Sequence, residues 1–112
     1  MIFVDYLGPV HHLPQVSEVV RREVGAAMRV RPELVAVRRI ATDDARDEIE
    51  VWIELSTDEQ LYRLGKDIAQ RISAGLRPNG EGPQVWVMYR VVPLSHAFLN
   101  GQPRGRATTS FD

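Results

Sequence analysis

The chain has 112 residues, with 14 Lys and Arg against 15 Asp and Glu and a formal net charge of −1. That length suits one hydrophobic core rather than two, and the charge balance leaves no basic footprint for nucleic acid or an anionic membrane. Cysteine is absent, which excludes disulfides, thiolate metal sites and cysteine nucleophiles and fits a cytoplasmic protein.

In Ile2–Leu7, residues Ile2, Val4 and Tyr6 alternate with Phe3, Asp5 and Leu7. A period of two predicts a strand, ended by Gly8-Pro9. Pro14 suits the first turn of a helix, where its missing amide is not needed. Val16, Val20, Val24, Ala27 and Met28 then form one helical stripe, closed by Pro32. Leu34–Ala41 reads as a second strand, with Val35 and Val37 on one face and Ala36, Arg38 and Ile40 on the other. Residues 42–48 are a polar, acidic connector.

Ile49, Val51, Ile53 and Leu55 alternate with Glu50, Trp52 and Glu54, a half-buried third strand. The period then changes to that of a helix, through Leu61, Leu64, Ile68 and Ile72. Two capping boxes are available at its start, Ser56 with Glu59 or Thr57 with Gln60. The helix is expected to end near Gly75 and Pro78, with 79–83 as a loop. Gln84–Val92 alternates again as a fourth strand. Asn100-Gly101 favours a tight turn, and the residues from Gln102 onward are expected to be mobile. No apolar run approaches the ~20 residues that span a bilayer. No basic-then-apolar start suggests a signal peptide.

The expected fold is therefore α/β (α+β) in one domain of residues 1–112. Residues 1–47 form a first βαβ half, 48–101 a second, and 102–112 a polar tail. A four-stranded sheet carries two helices on one face. Either the strands of each half pair side by side, or they interleave as in a ferredoxin-like sheet. Apolar residues on both faces of several strands, such as Phe3 and Leu7 against Ile2 and Val4, predict burial of the second face in an oligomer.

Two segments resemble the tautomerase superfamily. Leu55-Ser56-Thr57-Asp58-Glu59-Gln60 is similar to the strand-to-helix junction of the oxalocrotonate tautomerase group. Ala36-Val37-Arg38-Arg39-Ile40-Ala41-Thr42-Asp43 resembles that group's second strand. The layout and the Asn100-Gly101 turn resemble macrophage migration inhibitory factor and related trimers, and an uncharacterised bacterial tautomerase-like family of this length. The resemblance implies a homotrimer, no cofactor, and binding of a small carboxylate or keto acid. It also implies isomerase chemistry in which an N-terminal proline is the base. Here Ile2 follows Met1, so Met1 is expected to be retained, and its primary α-amine is the candidate base.

The resemblance assigns carboxylate binding to Arg38, whose planar fork suits a carboxylate. The alternative is an arginine paired with an acidic neighbour. It assigns pocket lining to Trp86, against simple packing, and adds Asn100 as a third candidate contact. Trp52, on the face of Glu50 and Glu54, and Arg39, on the face opposite Arg38, read as structural. His11, His12 and His96 read as solvated, because adjacent histidines in a loop do not easily converge on one ion, and no metal is expected. Asp43, Asp44 and Asp47 lack the glycine and terminal glutamate of a calcium loop. Gly80 and Gly82 do not open a helix as a phosphate cradle would, and no serine-nucleophile pattern is present.

Two other functions fit the pattern. One is a non-catalytic trimeric binding or scaffold module. The other is a dimeric ferredoxin-like domain, either a ligand-binding module or a small monooxygenase of the dimeric α+β barrel kind.

Overall fold

A computed structural model describes residues 1–104. Its elements in order are β1 (Ile2–Leu7), α1 (Leu13–Met28), β2 (Val35–Ile40), β3 (Glu48–Leu55), α2 (Asp58–Leu76) and β4 (Gln84–Val91), then the short β5 (Phe98–Leu99) and β6 (Gln102–Pro103). The four long strands lie in the order β2-β1-β3-β4. β1 runs parallel to β2 and β3 parallel to β4, while β1 and β3 pair antiparallel at the centre.

This order decides between the two topologies. Each half pairs its own two strands, so the interleaved ferredoxin-like sheet is excluded, and with it the dimeric ferredoxin-like reading. α1 packs on β2 and α2 on β4, and the helices touch each other. The core between them and the sheet holds Ile2, Val4 and Tyr6 from β1, Ile49, Val51, Ile53 and Leu55 from β3, and Val16, Val20, Val24, Ile68 and Ile72 of the expected helix stripes, with Ala27, Leu61 and Leu64 of those stripes only partly buried at its edge. Each fully buried side chain stabilises the fold by about 1.5–3 kcal/mol. Among the described residues, no helix is long and apolar enough to cross a membrane.

Local chemistry sets the element ends. α1 stops at Arg29, which adopts left-handed geometry at φ 58°, and Val30 N–H donates to the Gly25 carbonyl at 3.0 Å. A Cβ on Gly25 would stand 3.1 Å from that Val30 oxygen, so a side chain there would crowd the closing turn. At the start of α2 the box used is Thr57 with Gln60. Thr57 Oγ1 accepts from Gln60 N–H at 3.1 Å, and Gln60 Oε1 accepts from the amides of Ser56 and Thr57 at 2.8 and 3.3 Å. Gln60 is buried. A neutral amide tolerates that position, whereas Glu59 stays exposed and pairs with Arg63 one turn on.

Two expectations need correction. The tail is not loose from Gln102: Gln102 and Pro103 pair back onto β5 around Asn100 and Gly101, both at positive φ. Residues 105–112, the rest of the tail expected to be mobile, lie outside the described residues. The uncovered sheet face is mixed rather than apolar. Asp5, Arg38, Glu50, Glu54 and Arg90 stand among Phe3, Leu7, Trp52, Trp86 and Met88, because β3 places a glutamate at alternate positions.

Candidate functional site

Pairing of Val4 with Ile53 carries the start of β1 to the end of β3. Met1 therefore emerges beside Leu55 and Ser56. It lines a cleft with Phe3, Glu54, Val92 and Arg104. The cleft encloses about 20 Å³, room for one water molecule. Arg104 is held by its own amide, which donates to the Ala97 carbonyl at 2.9 Å, and its guanidinium donates to the Met1 carbonyl at 2.7 Å. Burial, and then the nearby Arg104 charge, push the Met1 ammonium below its ordinary pKa of 8.0. Both act against the charged form.

From this cleft a ladder of side chains runs across the open sheet face. The Phe3 ring lies under Arg104 at 5.7 Å and under Arg38 at 4.8 Å. Arg38 donates from Nε and Nη2 to one oxygen of Asp5, at 3.0 and 2.8 Å. Arg90 donates to the other oxygen at 3.0 Å and stacks 4.7 Å over Trp52. The Trp52 indole N–H is bound by Glu50 at 2.6 Å. Asp5 is buried, 5 % exposed, and takes both arginines at once. Two guanidinium groups thus share one buried carboxylate, while the third, Arg104, lies over the Phe3 ring and binds the Met1 carbonyl.

The four candidates from the sequence do not meet within one chain. Met1 and Arg38 share the Phe3 ring between them through Arg104. Arg38 is already partnered by Asp5, although it keeps further N–H donors. Asn100 sits at the tip of the hairpin whose base carries Arg104. Trp86 is level with Glu50, which pairs with Leu7, so it lies roughly 20 Å along the sheet from Met1 at 3.3 Å per residue. There it borders a separate groove of about 250 Å³ with Trp52, Met88 and Arg46, its indole bound by Glu48 at 3.1 Å.

Sequence reasoning missed Arg104, Asp5 and Arg90. An Asn-Gly turn implies that the chain returns, which was the available signal for Arg104. A carboxylate inside an otherwise apolar strand must find a cation, which was the signal for Asp5. Arg39, on the other face, donates to the Gly8 carbonyl at 3.1 Å. Asp44 is bound by Arg46, whose hydrogen bonds hold its carboxyl near a pKa of about 2. Of the three histidines read as solvated, His11 and His96 are exposed, but His12 is only 15% exposed and lies 2.6 Å from Asp47, with the His11 ring tilted against it at 4.1 Å and 4.0 Å from the same carboxylate. A 3₁₀ turn at Val10–His12 carries them there.

No family model and no curated protein matches the sequence. Solved structures do. A protein of unknown function from Vibrio cholerae aligns with a TM-score of 0.66 at 11% identity, covering 92% of this chain and 87% of its own. A fused 4-OT, an asymmetric trimer, aligns at 0.64 with 15% identity over 90% of this chain and 94% of its own. Macrophage migration inhibitory factor of Toxoplasma gondii aligns at 0.64 with 12% identity over 91% and 99%. The chain has the tautomerase-superfamily fold. At these identities the likeness establishes the fold alone. Within the tautomerase fold this sequence places Met1, followed by Ile2, at the head of β1.

Proposed function

We propose that the chain forms a homotrimer that binds a small carboxylate or keto acid beside Met1, with slow enol–keto tautomerisation as its chemistry. The observation that supports this most is the Met1 amine. It stands in a cleft beside a fixed arginine, and burial and then the Arg104 charge lower its pKa from the ordinary value. An unprotonated amine can move a proton between the enol oxygen and the adjacent carbon, in either direction. Arg104 and Arg38, both over the Phe3 ring, would hold the substrate carboxylate, and the Asn100 amide offers a further donor. A one-water cleft cannot enclose a keto acid, so the walls would come from a neighbouring subunit. Trp86 would act there as the neighbour's residue. A primary amine without the ring of proline makes the activity weak.

A second reading is a trimer that binds carboxylates without turning them over. It is favoured by the Asp5 carboxylate, which already occupies part of the Arg38 fork. Ketonisation of phenylenolpyruvate separates the two, measured together with the intact N-terminal mass. Turnover that is lost in Arg104→Ala supports the enzyme. Saturable phenylpyruvate binding without turnover supports the binding module. Binding unchanged in both Arg104→Ala and Arg38→Ala removes the proposed site.

A further inference from the structure

We propose that His11, His12 and Asp47 form a binding site for a divalent transition-metal ion of the zinc type. His12 Nε2 lies 2.6 Å from Asp47 Oδ1, and His11 Nε2 lies 4.0 Å from the same oxygen. All three donor atoms fall within 4.8 Å of one another. A tetrahedral ion with bonds of about 2.0–2.2 Å holds its ligand atoms ~3.4 Å apart. The observed separations bracket that value. The His12–Asp47 pair must open and the His11–Asp47 pair must close by less than about 1 Å, and the two histidine nitrogens, no more than 4.8 Å apart, need approach by no more than about 1.4 Å. His11 and Asp47 have side chains 68% and 66% exposed, so each can turn without disturbing the core.

The donor set selects the metal. Two imidazoles and one carboxylate suit zinc, copper or nickel, whereas calcium and magnesium require oxygen ligands. A fourth position remains for water. The ligands are also partly preorganised. The His12 side chain is only 15% exposed and stands at the head of α1, whose second residue is Pro14. Asp47 directly precedes β3. An ion here would take the place of the direct His12–Asp47 hydrogen bond, and it would tie the exposed 41–47 connector to the β1–α1 turn. The site lies at the Leu7 end of β1, opposite Met1, so it is independent of the proposed carboxylate site.

The test is calorimetric titration of the tag-free full chain with zinc chloride, alongside thermal melts and the visible absorption of the cobalt complex. The expected result is one zinc per chain, a melting temperature raised by several degrees at saturation, and tetrahedral cobalt bands. His11→Gln and Asp47→Asn, both at exposed side chains, should each weaken binding at least about tenfold, the lower end of what losing even an outer-shell partner costs. His96→Gln should leave it unchanged. Absence of saturable zinc binding overturns the site. So does full-strength binding in His11→Gln and Asp47→Asn, or loss of binding in His96→Gln.

Discussion

Asp5 shows how one buried charge organises its neighbours. Its carboxylate is buried, but its partners Arg38 and Arg90 are 56% and 47% exposed. The pair is therefore asymmetric. Removing an exposed arginine returns little, because solvent already screens it, and exposed pairs contribute about 0–1 kcal/mol. Removing the buried carboxylate leaves two guanidiniums facing one another without a counter-ion. Asp5→Asn should lower stability in urea unfolding by about 1–3 kcal/mol, and Arg38→Ala by less than about 1 kcal/mol. Equal losses would mean that Asp5 is solvated rather than paired.

Tyr89 is a second residue with a measurable signature. Its hydroxyl donates to the Gly65 carbonyl at 2.5 Å, and burial raises its pKa to about 12. In the unfolded chain the value is about 10. Between those pH values the unfolded state releases a proton that the folded state keeps, so stability falls as pH rises from about 10 to 12. Tyr89 is only part-buried, so the loss should be about 1 kcal/mol after solvent screening. Tyr6 is also raised by burial and adds a slope of the same sign. The check is the difference in alkaline slope between the wild type and Tyr89→Phe, which should be shallower.

At the scale of elements, the two candidate caps of α2 give opposite expectations. Thr57→Ala removes the acceptor for the Gln60 amide and should cost about 1 kcal/mol. Ser56→Ala should change stability by no more than about 0.5 kcal/mol. A reversal in chemical denaturation would place the cap at Ser56. The elements themselves were legible because their signals are local: alternation in Ile49–Leu55, the stripe from Leu61 to Ile72, and prolines near the helix ends. What stayed hidden depends on residues far apart in sequence. Asp5 meets Arg38 and Arg90 across 33 and 85 positions, and His12 meets Asp47 across 35. Periodicity carries no information about such pairings until the strand order is known. The order itself was ambiguous because both topologies share the same string of elements. Arg104 was hidden for a different reason: a polar tail reads as solvated unless the return after Asn100-Gly101 is taken seriously.

For the whole molecule, the question is what covers the open sheet face. Both helices lie on the other side, so within one chain Trp86 stays 55% exposed. Around it Trp52, Met88, Leu7 and Phe3 share the face with charged groups that are already paired internally, among them Asp5, Arg38, Arg90 and Glu50. Pairing within the face lowers the cost of burying it, since the charges need not find partners across an interface. The expected solution mass by light scattering is three times the 12.7 kDa chain. Melting temperature should then rise with protein concentration, as mass action requires. Trp86→Lys inserts a charge into the proposed interface and should lower the mass toward that of the monomer. If the carboxylate site is completed by a neighbour, ligand binding should fall in the same variant, although Trp86 lies far from Met1 in its own chain. A trimer whose mass and binding are both untouched by Trp86→Lys would place the interface elsewhere. A monomeric wild type would leave the 20 Å³ cleft without walls and remove the basis for substrate binding.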